Sequence, residues 1–217
     1  MSLLLGDLSH SNVSDDKSGK VVELVRPLQN EGRDVTYTLG ACEPHADESS
    51  KPAPEDVACL WCVKQARWGG ATVIWPSRKL MSVIASMRDG DVLLRLLRTK
   101  RFPFGGKLRQ PPRDLMSPIL FGEDGIRFRL GTIEDAFAVL KQEPDSEQSL
   151  ALHALLGAIR STTPFGWRLV PGEALIVLNR RVLHAREDFD DTERCLIRTR
   201  LYNPRLSNSP CERGVSW

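Results

Sequence analysis

Short apolar runs separated by turn-forming residues dominate the beginning and the end of the chain. Alternating or continuous apolar patterns predict strands at 21–27, 35–39, 57–63, 71–75, 119–121, 125–130, 168–170, 174–178, 181–183 and 194–202. Runs of this length, bounded by Gly, Pro, Asn, Asp or Ser, are typical of strands rather than of helices. The pattern therefore predicts a mainly β protein.

Helical spacing of apolar residues is concentrated in the middle of the chain. It predicts helices at 78–87, 91–99, 132–140 and 146–160, with Ser77 as the N-cap of the first. The stretch 101–118 is rich in Pro and Gly and predicts an extended excursion. Many short strands with a central group of helices favour a barrel or a sandwich with helical insertions, and the pattern does not choose between them.

Length and composition fit one catalytic domain that spans all 217 residues. The Ser- and Asp-rich residues 1–20 are predicted to form a flexible arm, and residues 205–217 an irregular tail. The apolar runs are too short for a membrane span, and the N-terminus lacks the pattern of a signal peptide. These features predict a cytoplasmic protein that does not bind membranes.

Net charge and cysteine content argue against several classes of protein. The net charge of +2 argues against a protein that binds nucleic acid by neutralising phosphates. The five cysteines form an odd set, which favours reduced thiols over a disulfide framework. Cys59 and Cys62 have CxxC spacing, but no second pair completes a zinc site, and the apolar run around them predicts core thiols.

Three residues from distant parts of the chain form a candidate metal site. His45 and Asp47 are two positions apart, so that at the end of a strand their side chains project to the same side. Among the other histidines, His10 lies in the predicted arm and His153 in a predicted helix. His184 therefore remains as the third ligand, at the end of a predicted strand. Two histidines and one carboxylate are the ligands of non-haem Fe(II) oxygenases.

The same ligand set leaves other functions open. A zinc hydrolase could use His45, Asp47 and His184 with a nearby general base. A non-catalytic cupin-like binding protein could retain the three residues in a degenerate site. Both alternatives are compatible with the ligands alone.

Four segments in order resemble the Fe(II)/2-oxoglutarate-dependent oxygenases of the taurine dioxygenase and clavaminate synthase-like superfamily. His-Ala-Asp at 45–47 looks like the family's H-x-D/E pair, and Gly-Gly-Ala-Thr at 69–72 looks like its GG-x-T segment. GEALIVLNRRVLHAR at 172–186 is similar to the pattern around the distal histidine. RCLIR at 194–198 resembles the R-W-L-Q-R segment. The resemblance extends over roughly residues 40–204.

The resemblance implies a double-stranded β-helix, or jelly-roll, core and a role for each matched residue. His45, Asp47 and His184 would ligate Fe(II). Thr72 and Arg198 would bind the distal carboxylate of 2-oxoglutarate, since the planar guanidinium pairs bidentately with a carboxylate. Arg200 lies on the same strand face and is the alternative anchor.

The implied activity is that of a non-haem iron dioxygenase, with O2 as the second co-substrate and succinate and CO2 as co-products. Its substrate would be a small molecule, an amino acid or an amino-acid-derived intermediate of natural-product biosynthesis, hydroxylated at an unactivated C–H bond. Arg186 and Glu43 are the predicted substrate-binding residues. Asp47 argues against halogenation, because the halogenating relatives carry Ala or Gly there. The segment before His45 is short for the family, which raises the possibility of a homo-oligomer in which another subunit completes the substrate wall.

Overall fold

The computed structural model describes residues 7–8, 22–28, 38–105, 115–203 and 206. Its strands are, in chain order, β1 Asp7–Leu8, β2 Val22–Val25, β3 Cys42–His45, β4 Val57–Lys64, β5 Thr72–Pro76, β6 Phe102–Pro103, β7 Met116–Ser117, β8 Leu120–Phe121, β9 Gly125–Ile126, β10 Phe165–Trp167, β11 Ala174–Leu178, β12 Val182–Arg186 and β13 Cys195–Tyr202. The helices are α1 Ser77–Ala85, α2 Gly90–Thr99, α3 Leu130–Leu140 and α4 Ser146–Ser161.

Two antiparallel sheets build a double-stranded β-helix. In the first sheet, β13 pairs with β1 and β2 on one side and with β4 on the other, and β11 extends the sheet beyond β4. In the second sheet, the order is β10, β5, β12, β3. Non-consecutive strands are neighbours in both sheets, so residues far apart in sequence meet on one surface. This topology confirms the predicted jelly-roll core.

Alternation along β13 separates its two faces. Leu196 packs with Val25 and Cys62 in one buried cluster. Leu201, five residues further along the strand, packs with Val57 in another. Because successive side chains of a strand point to opposite faces, Arg198 and Arg200 lie on the same face as Leu196. The two arginines therefore point toward the second sheet.

The helices cover the outer face of the second sheet. Trp75, Leu183 and Ala185 from this sheet belong to the same buried cluster as Leu155 of α4. The intervening side chains of β5 and β12, among them Thr72, must then point to the opposite face, toward the first sheet. Hydrophobic burial of one face thus directs the polar residues of the other into the interior of the β-helix.

The helix α4 begins at a complete capping box. The Asp145 carboxylate accepts a hydrogen bond from the backbone N–H of Gln148, and the Gln148 side chain accepts one from the backbone N–H of Asp145. This arrangement satisfies two amides that the first helical turn leaves without partners. The predicted helix at 146–160 is confirmed.

Four expectations about local structure differ from the fold. Ser77 is the first residue of α1 and not its N-cap, because its hydroxyl donates to the Asp124 carbonyl instead of accepting from the helix. The predicted strand at 168–170 is wrong, since the edge strand β10 occupies Phe165–Trp167. The predicted strand at 125–130 ends at Ile126, and α3 begins at Leu130. β12 extends through Arg186, which places His184 inside the strand.

Several other expectations concern regions that are described only in part. Asp7–Leu8 pair with β13, and the rest of the predicted arm lies outside the described residues. The same holds for most of the predicted strand at 35–39, for part of the stretch 101–118 and for nearly all of the tail. Cys59 and Cys62 are buried, as core thiols should be. Every helix in the described part of the chain is too short or too polar to cross a membrane.

The buried side chains of the helices should contribute strongly to the free energy of unfolding. Leu155 is 0% exposed in α4, whereas Leu150 on the same helix is 51% exposed. We expect Leu155→Ala to lower the free energy of unfolding by about 2–5 kcal/mol, because it removes buried methyl groups and leaves a cavity. The matched change Leu150→Ala should cost less than about 1 kcal/mol, as is usual at the surface. Urea unfolding of both variants measures this difference, and equal losses would contradict the described packing of α4.

Candidate metal centre

The two candidate histidines lie opposite each other on neighbouring strands. His45 at the end of β3 pairs directly with His184 in β12, and their ring centroids are 4.5 Å apart. Directly opposed residues of an antiparallel pair project to the same face of a sheet. The ladder between β3 and β12 therefore brings together two residues that are far apart in the sequence.

Asp47 completes the cluster from the segment that follows β3. Its Oδ1 lies 3.4 Å from Nε2 of His45 and 3.6 Å from Nε2 of His184. In the described part of the chain, these three residues are the one group of His, Cys, Asp and Glu side chains with ligand atoms close enough to hold a metal ion. All three are well shielded from solvent.

The protonation states suit metal binding. Burial and the neighbouring His184 lower the pKa of His45 to about 4, so its imidazole is neutral at neutral pH. Burial alone would raise the pKa of Asp47, but the charges of Arg198 and Arg200 hold it well below the usual value. The centre therefore offers a neutral imidazole and an ionised carboxylate, which are the forms that bind metals.

A backbone contact fixes the tautomer of one imidazole. Nδ1 of His45 lies 2.7 Å from the carbonyl oxygen of Glu43. Since a carbonyl can only accept, Nδ1 carries the proton, and the lone pair is on Nε2, which faces Asp47. A divalent metal with bonds of about 2.1 Å would separate neighbouring ligand atoms by roughly 3 Å. The observed separations between the carboxylate and the two imidazoles are slightly larger, and the donor set fits a metal such as Fe(II).

Asn179 holds the backbone of the carboxylate ligand. Its Oδ1 accepts from the N–H of Asp47 at 2.7 Å, and its Nδ2 donates to the carbonyl of Asp47 at 3.1 Å and to that of Glu55 at 2.8 Å. The side chain is fully buried. Asn179 thus binds both polar groups of the Asp47 peptide and ties the segment 47–55 to the end of β11.

The segment after Asp47 turns sharply and is held by Arg127. Glu48 has a φ of 54°, a left-handed conformation that is uncommon for residues other than glycine and turns the chain sharply. Arg127 then donates to the carbonyls of Ser49, Lys51 and Pro52. These contacts hold the predicted loop at 48–56 against the rest of the protein.

The arginine predicted to anchor 2-oxoglutarate has a carboxylate partner within the chain. Arg198 donates from Nε and Nη2 to both oxygens of Glu23 in β2, at 2.8–2.9 Å. Its Nη1 also lies 3.6 Å from Oδ2 of Asp47. Arg200 donates to the same Asp47 oxygen at 3.2 Å and contacts Glu23 at 3.3 Å. Both arginines therefore surround the metal-binding carboxylate.

Arg194 lies directly before β13 and, unlike Arg198 and Arg200, forms no ion pair with a carboxylate in the described part of the chain. It is buried, its Nη2 contacts the Gly70 carbonyl at 3.3 Å, and its Nη1 has no hydrogen-bond partner in the described part of the chain. Burial and the nearby charge of Arg186 lower its pKa to about 10, which still leaves it protonated at neutral pH. A protonated guanidinium without a carboxylate is a binding site for an anion.

A small cavity joins Arg194 to the predicted co-substrate residue Thr72. Both residues line it, together with Gly69 and Gly70. A Cβ added to Gly70 would lie 3.0 Å from Nε of Arg194, so a larger residue there would press on the guanidinium. Gly69 has a φ of 66°, and a Cβ at this position would lie 2.1 Å from the Asp188 carbonyl oxygen. Gly70 therefore leaves room for Arg194 beside Thr72, and Gly69 allows the close approach of the Asp188 backbone.

The two residues predicted to bind substrate, Arg186 and Glu43, make contacts with other parts of the chain. Arg186 donates to the carbonyls of Thr38 and Gly40, and its guanidinium stacks on the ring of Phe189. Glu43 is exposed, and its backbone carbonyl orients His45. The contacts of Arg186 thus hold the segment before β3 in place, and the described contact of Glu43 is made by its backbone.

Sequence reasoning did not single out three residues that shape the site. Asn179 lies in the motif at 172–186, but only the tertiary contact with Asp47 shows its position. Arg194 belongs to the same alternating set as Arg198, and this periodicity is a signal that could have pointed to it. Glu23 lies in a short strand near the N-terminus, and no sequence pattern links it to β13.

Comparisons with known proteins agree with this geometry. The model of the family described as "Taurine catabolism dioxygenase TauD, TfdA family" matches residues 6–200. None of the curated protein sequences matches the chain.

Solved structures share the fold at low sequence identity. An asparagine oxygenase in complex with Fe(II), 2S,3S-3-hydroxyasparagine and succinate is 20% identical, with a TM-score of 0.69 over 84% of this chain and 56% of that one. The non-heme iron oxygenase OrfP in complex with Fe and alpha-ketoglutaric acid is 17% identical, with a TM-score of 0.74 over 93% of this chain and 62% of that one. The chain thus spans less than two thirds of the length of these structures.

The family model covers most of the chain, including β3, β5, β12 and the arginines of β13 up to Arg200. The segments that carry the three candidate ligands and Thr72 lie within the match. The chain therefore belongs to the TauD, TfdA family of dioxygenases.

Proposed function

We propose that the protein is an Fe(II)- and 2-oxoglutarate-dependent oxygenase that hydroxylates a small amino-acid-like molecule and forms succinate and CO2 as co-products. The observation that carries this proposal is the convergence of His45, Asp47 and His184 on one point. The buried Arg194, whose Nη1 has no hydrogen-bond partner in the described part of the chain, supports it. A zinc hydrolase would not need a buried arginine without a carboxylate partner. Membership of a dioxygenase family supports the same choice.

The three ligands would hold Fe(II) on one face, as two histidines and one carboxylate do in non-haem oxygenases. When bound, the metal and 2-oxoglutarate supply the oxidising chemistry. The chain contributes orientation: the Glu43 carbonyl fixes the tautomer of His45, and Arg200 hydrogen-bonds the Asp47 oxygen that faces away from His45. Such contacts orient the ligands and tune their basicity.

Two arginines are candidates for the distal carboxylate of 2-oxoglutarate. The family resemblance favours Arg198, whose guanidinium is paired with Glu23. The described contacts favour Arg194, which is buried, lacks a carboxylate partner and lines a cavity with Thr72. We assign the anchoring role to Arg194 together with Thr72. Arg198 would then hold the carboxylates of Glu23 and Asp47 in position beside the metal.

The substrate class is proposed by analogy with the structural neighbours. One of them is an asparagine oxygenase, and another, OrfP, was solved in complex with (3S)-hydroxy-L-Arg. An amino acid or a derivative of one is therefore our proposal for this chain. The cytoplasmic location and the homo-oligomer remain predictions from the sequence.

Anaerobic addition of Fe(II) and 2-oxoglutarate should produce a weak visible charge-transfer band, because the co-substrate would chelate the bound metal. His184→Ala should abolish the band, since it removes one of three ligands. His153→Ala is the control, because His153 is exposed on α4 and its described hydrogen bond is to the Ser149 carbonyl of its own helix. Absence of the band in the wild-type protein, with no succinate formed in air from candidate substrates, would refute the proposed oxygenase.

Substitution of the two arginines tests the anchor. Arg194→Gln should weaken 2-oxoglutarate binding to the metal-loaded protein by about tenfold or more, the typical effect of losing a charge-assisted hydrogen bond. Arg198→Gln should change this affinity less. Titration calorimetry with Ni(II) in place of iron measures both values without turnover. If Arg198→Gln has the larger effect while metal affinity is retained, the anchor is Arg198.

Asn179 should matter for metal binding although it touches no ligand atom. Asn179→Asp removes the donors to the Asp47 and Glu55 carbonyls, so we expect metal affinity to fall by about 10- to 100-fold, as when outer contacts of metal ligands are lost. Competition with a coloured chelator measures this affinity, and thermal unfolding of the metal-free protein measures any loss of stability. Gln142→Ala, at an exposed position after α3, is the control. Unchanged metal affinity in a folded Asn179→Asp protein would show that the hydrogen bonds of Asn179 do not position Asp47.

A further inference from the structure

A row of four side chains on the second sheet runs from the metal centre to the edge of the sheet. The strand registers make them directly opposed neighbours, in the order His45 of β3, His184 of β12, Ile74 of β5 and Phe165 of β10. Directly opposed residues of antiparallel strands project to the same face of a sheet. Ile74 and Phe165 therefore share the inner face of the β-helix with the two imidazoles.

The first sheet carries a matching row on its own inner face. Its members are Glu23 of β2, Arg198 of β13, Leu60 of β4 and Leu175 of β11. Asp47 joins the two rows, because its Oδ1 lies 3.6 Å from Nε2 of His184 and its Oδ2 lies 3.6 Å from Nη1 of Arg198. This contact places β13 opposite β12. The strand orders of the two sheets then place β4 opposite β5 and β11 opposite β10.

Beyond the metal centre, the members of both rows are apolar. Leu60 and Leu175 pack against a buried cluster of the first sheet. Ile74 and Phe165 face them from the second sheet, and together the four residues form an apolar strip. Exposure increases along the row of the second sheet, from 7% at His45 to 61% at Phe165. The apolar strip thus leads from the buried metal centre to solvent.

Phe165 is the most exposed member of the strip, and a contact at the edge of the sheet holds its ring. Nζ of Lys79 donates to the Thr163 carbonyl at 3.1 Å and lies 5.4 Å from the centroid of the Phe165 ring. Adjacent strands are about 4.8 Å apart, so the backbone of Phe165 lies about 10 Å from that of His184, a span that a small side chain can fill. Ligand sites are lined mainly by apolar and aromatic side chains around a few polar groups, and both kinds are present here.

We infer that the apolar strip binds an apolar side chain of the organic substrate. This inference rests on the proposed function and adds the chemistry of the substrate side chain to it. The cavity of Arg194 and Thr72 lies further along the same inner face, since Thr72 is two residues before Ile74 on β5. The co-substrate and the substrate side chain thus have separate surroundings. Burial of apolar surface against the strip removes water from both partners and favours binding.

The experiment compares L-amino acids that differ in the polarity of the side chain and share the charged α-amino and α-carboxyl groups. The pairs are L-leucine with L-asparagine, L-valine with L-threonine, and L-phenylalanine with L-tyrosine. The Ni(II) protein is first saturated with 2-oxoglutarate, and titration calorimetry then measures the affinity for each amino acid. In at least one pair, we expect the apolar member to bind about tenfold more tightly, the ratio that burial of about two methylene-sized groups provides.

Variants of the second sheet decide whether this preference belongs to the strip. Phe165→Ala should weaken binding of the preferred amino acid by about fivefold or more, because apolar contact area is lost. Ile74→Thr should weaken it as well, since the hydroxyl is polar while the β-branched shape suits a strand. Phe165→Leu should retain most of the affinity. The control is Ile176→Ala, because Ile176 is 44% exposed on β11 and points to the face opposite Leu175.

Thermal unfolding shows that each variant is folded before its affinities are compared. Equal affinities within every pair, or a preference that survives in both Phe165→Ala and Ile74→Thr, would overturn the inference. It would also be overturned if these variants lost affinity for 2-oxoglutarate and kept it for the amino acid, since the strip would then contact the co-substrate instead. Failure of 2-oxoglutarate to bind to the unmodified Ni(II) protein would refute the proposed function.

Discussion

The arrangement of the site depends on how the carboxylate of Asp47 is held. Its backbone is bound on both sides by Asn179, and its two oxygens face different partners. Oδ1 points at the two imidazoles, and Oδ2 accepts from Arg200. A buried carboxylate is stable only if its charge is compensated, and here two guanidiniums and the metal-binding position provide that compensation. The geometry of the three ligands follows from these contacts.

Two sheets and a helical layer make this arrangement possible. The second sheet buries Trp75, Leu183 and Ala185 against the helices, and the alternation of the strands then turns His184 and Thr72 inward. The first sheet presents its arginines toward them from the opposite side. Because non-consecutive strands are neighbours, ladders of backbone hydrogen bonds hold His45, His184 and Thr72. Asp47 lies just after β3 and is held by Asn179. The hydrophobic core thus fixes the distances at which the polar groups meet.

The arginines of the interior serve different purposes according to their partners. Arg198 and Arg200 are paired with Glu23 and Asp47, so their charges are compensated within the protein. Arg194 lacks such a carboxylate in the described part of the chain, and its Nη1 has no hydrogen-bond partner there. Desolvating a guanidinium without a partner is costly, and such a group is the expected position for an anionic ligand. Residue type alone would not distinguish the two paired arginines from the unpaired one.

Much of the fold and of the ligand set could be predicted from the sequence. Strand and helix periods are local properties, and they correctly indicated a β protein with central helices and a buried CxxC segment. The ligands could be found because the chain contains few histidines and because the ordered motifs are those of a known family. Local patterns failed where a tertiary contact decided the outcome: Ser77 is bonded to the Asp124 carbonyl, and an edge strand forms at Phe165–Trp167.

The sequence by itself determined which residues could bind a metal, because ligand chemistry belongs to the residue type. Only the tertiary structure decided which arginine has a partner and which has none. That distinction depends on Glu23, which a strand pairing brings to β13 from 175 positions away in the chain. It depends also on Gly70, whose missing side chain leaves space for Arg194. Alternation along β13 places Arg198 and Arg200 on one face, and Arg194 lies directly before the strand. The surrounding segments then give these arginines different environments.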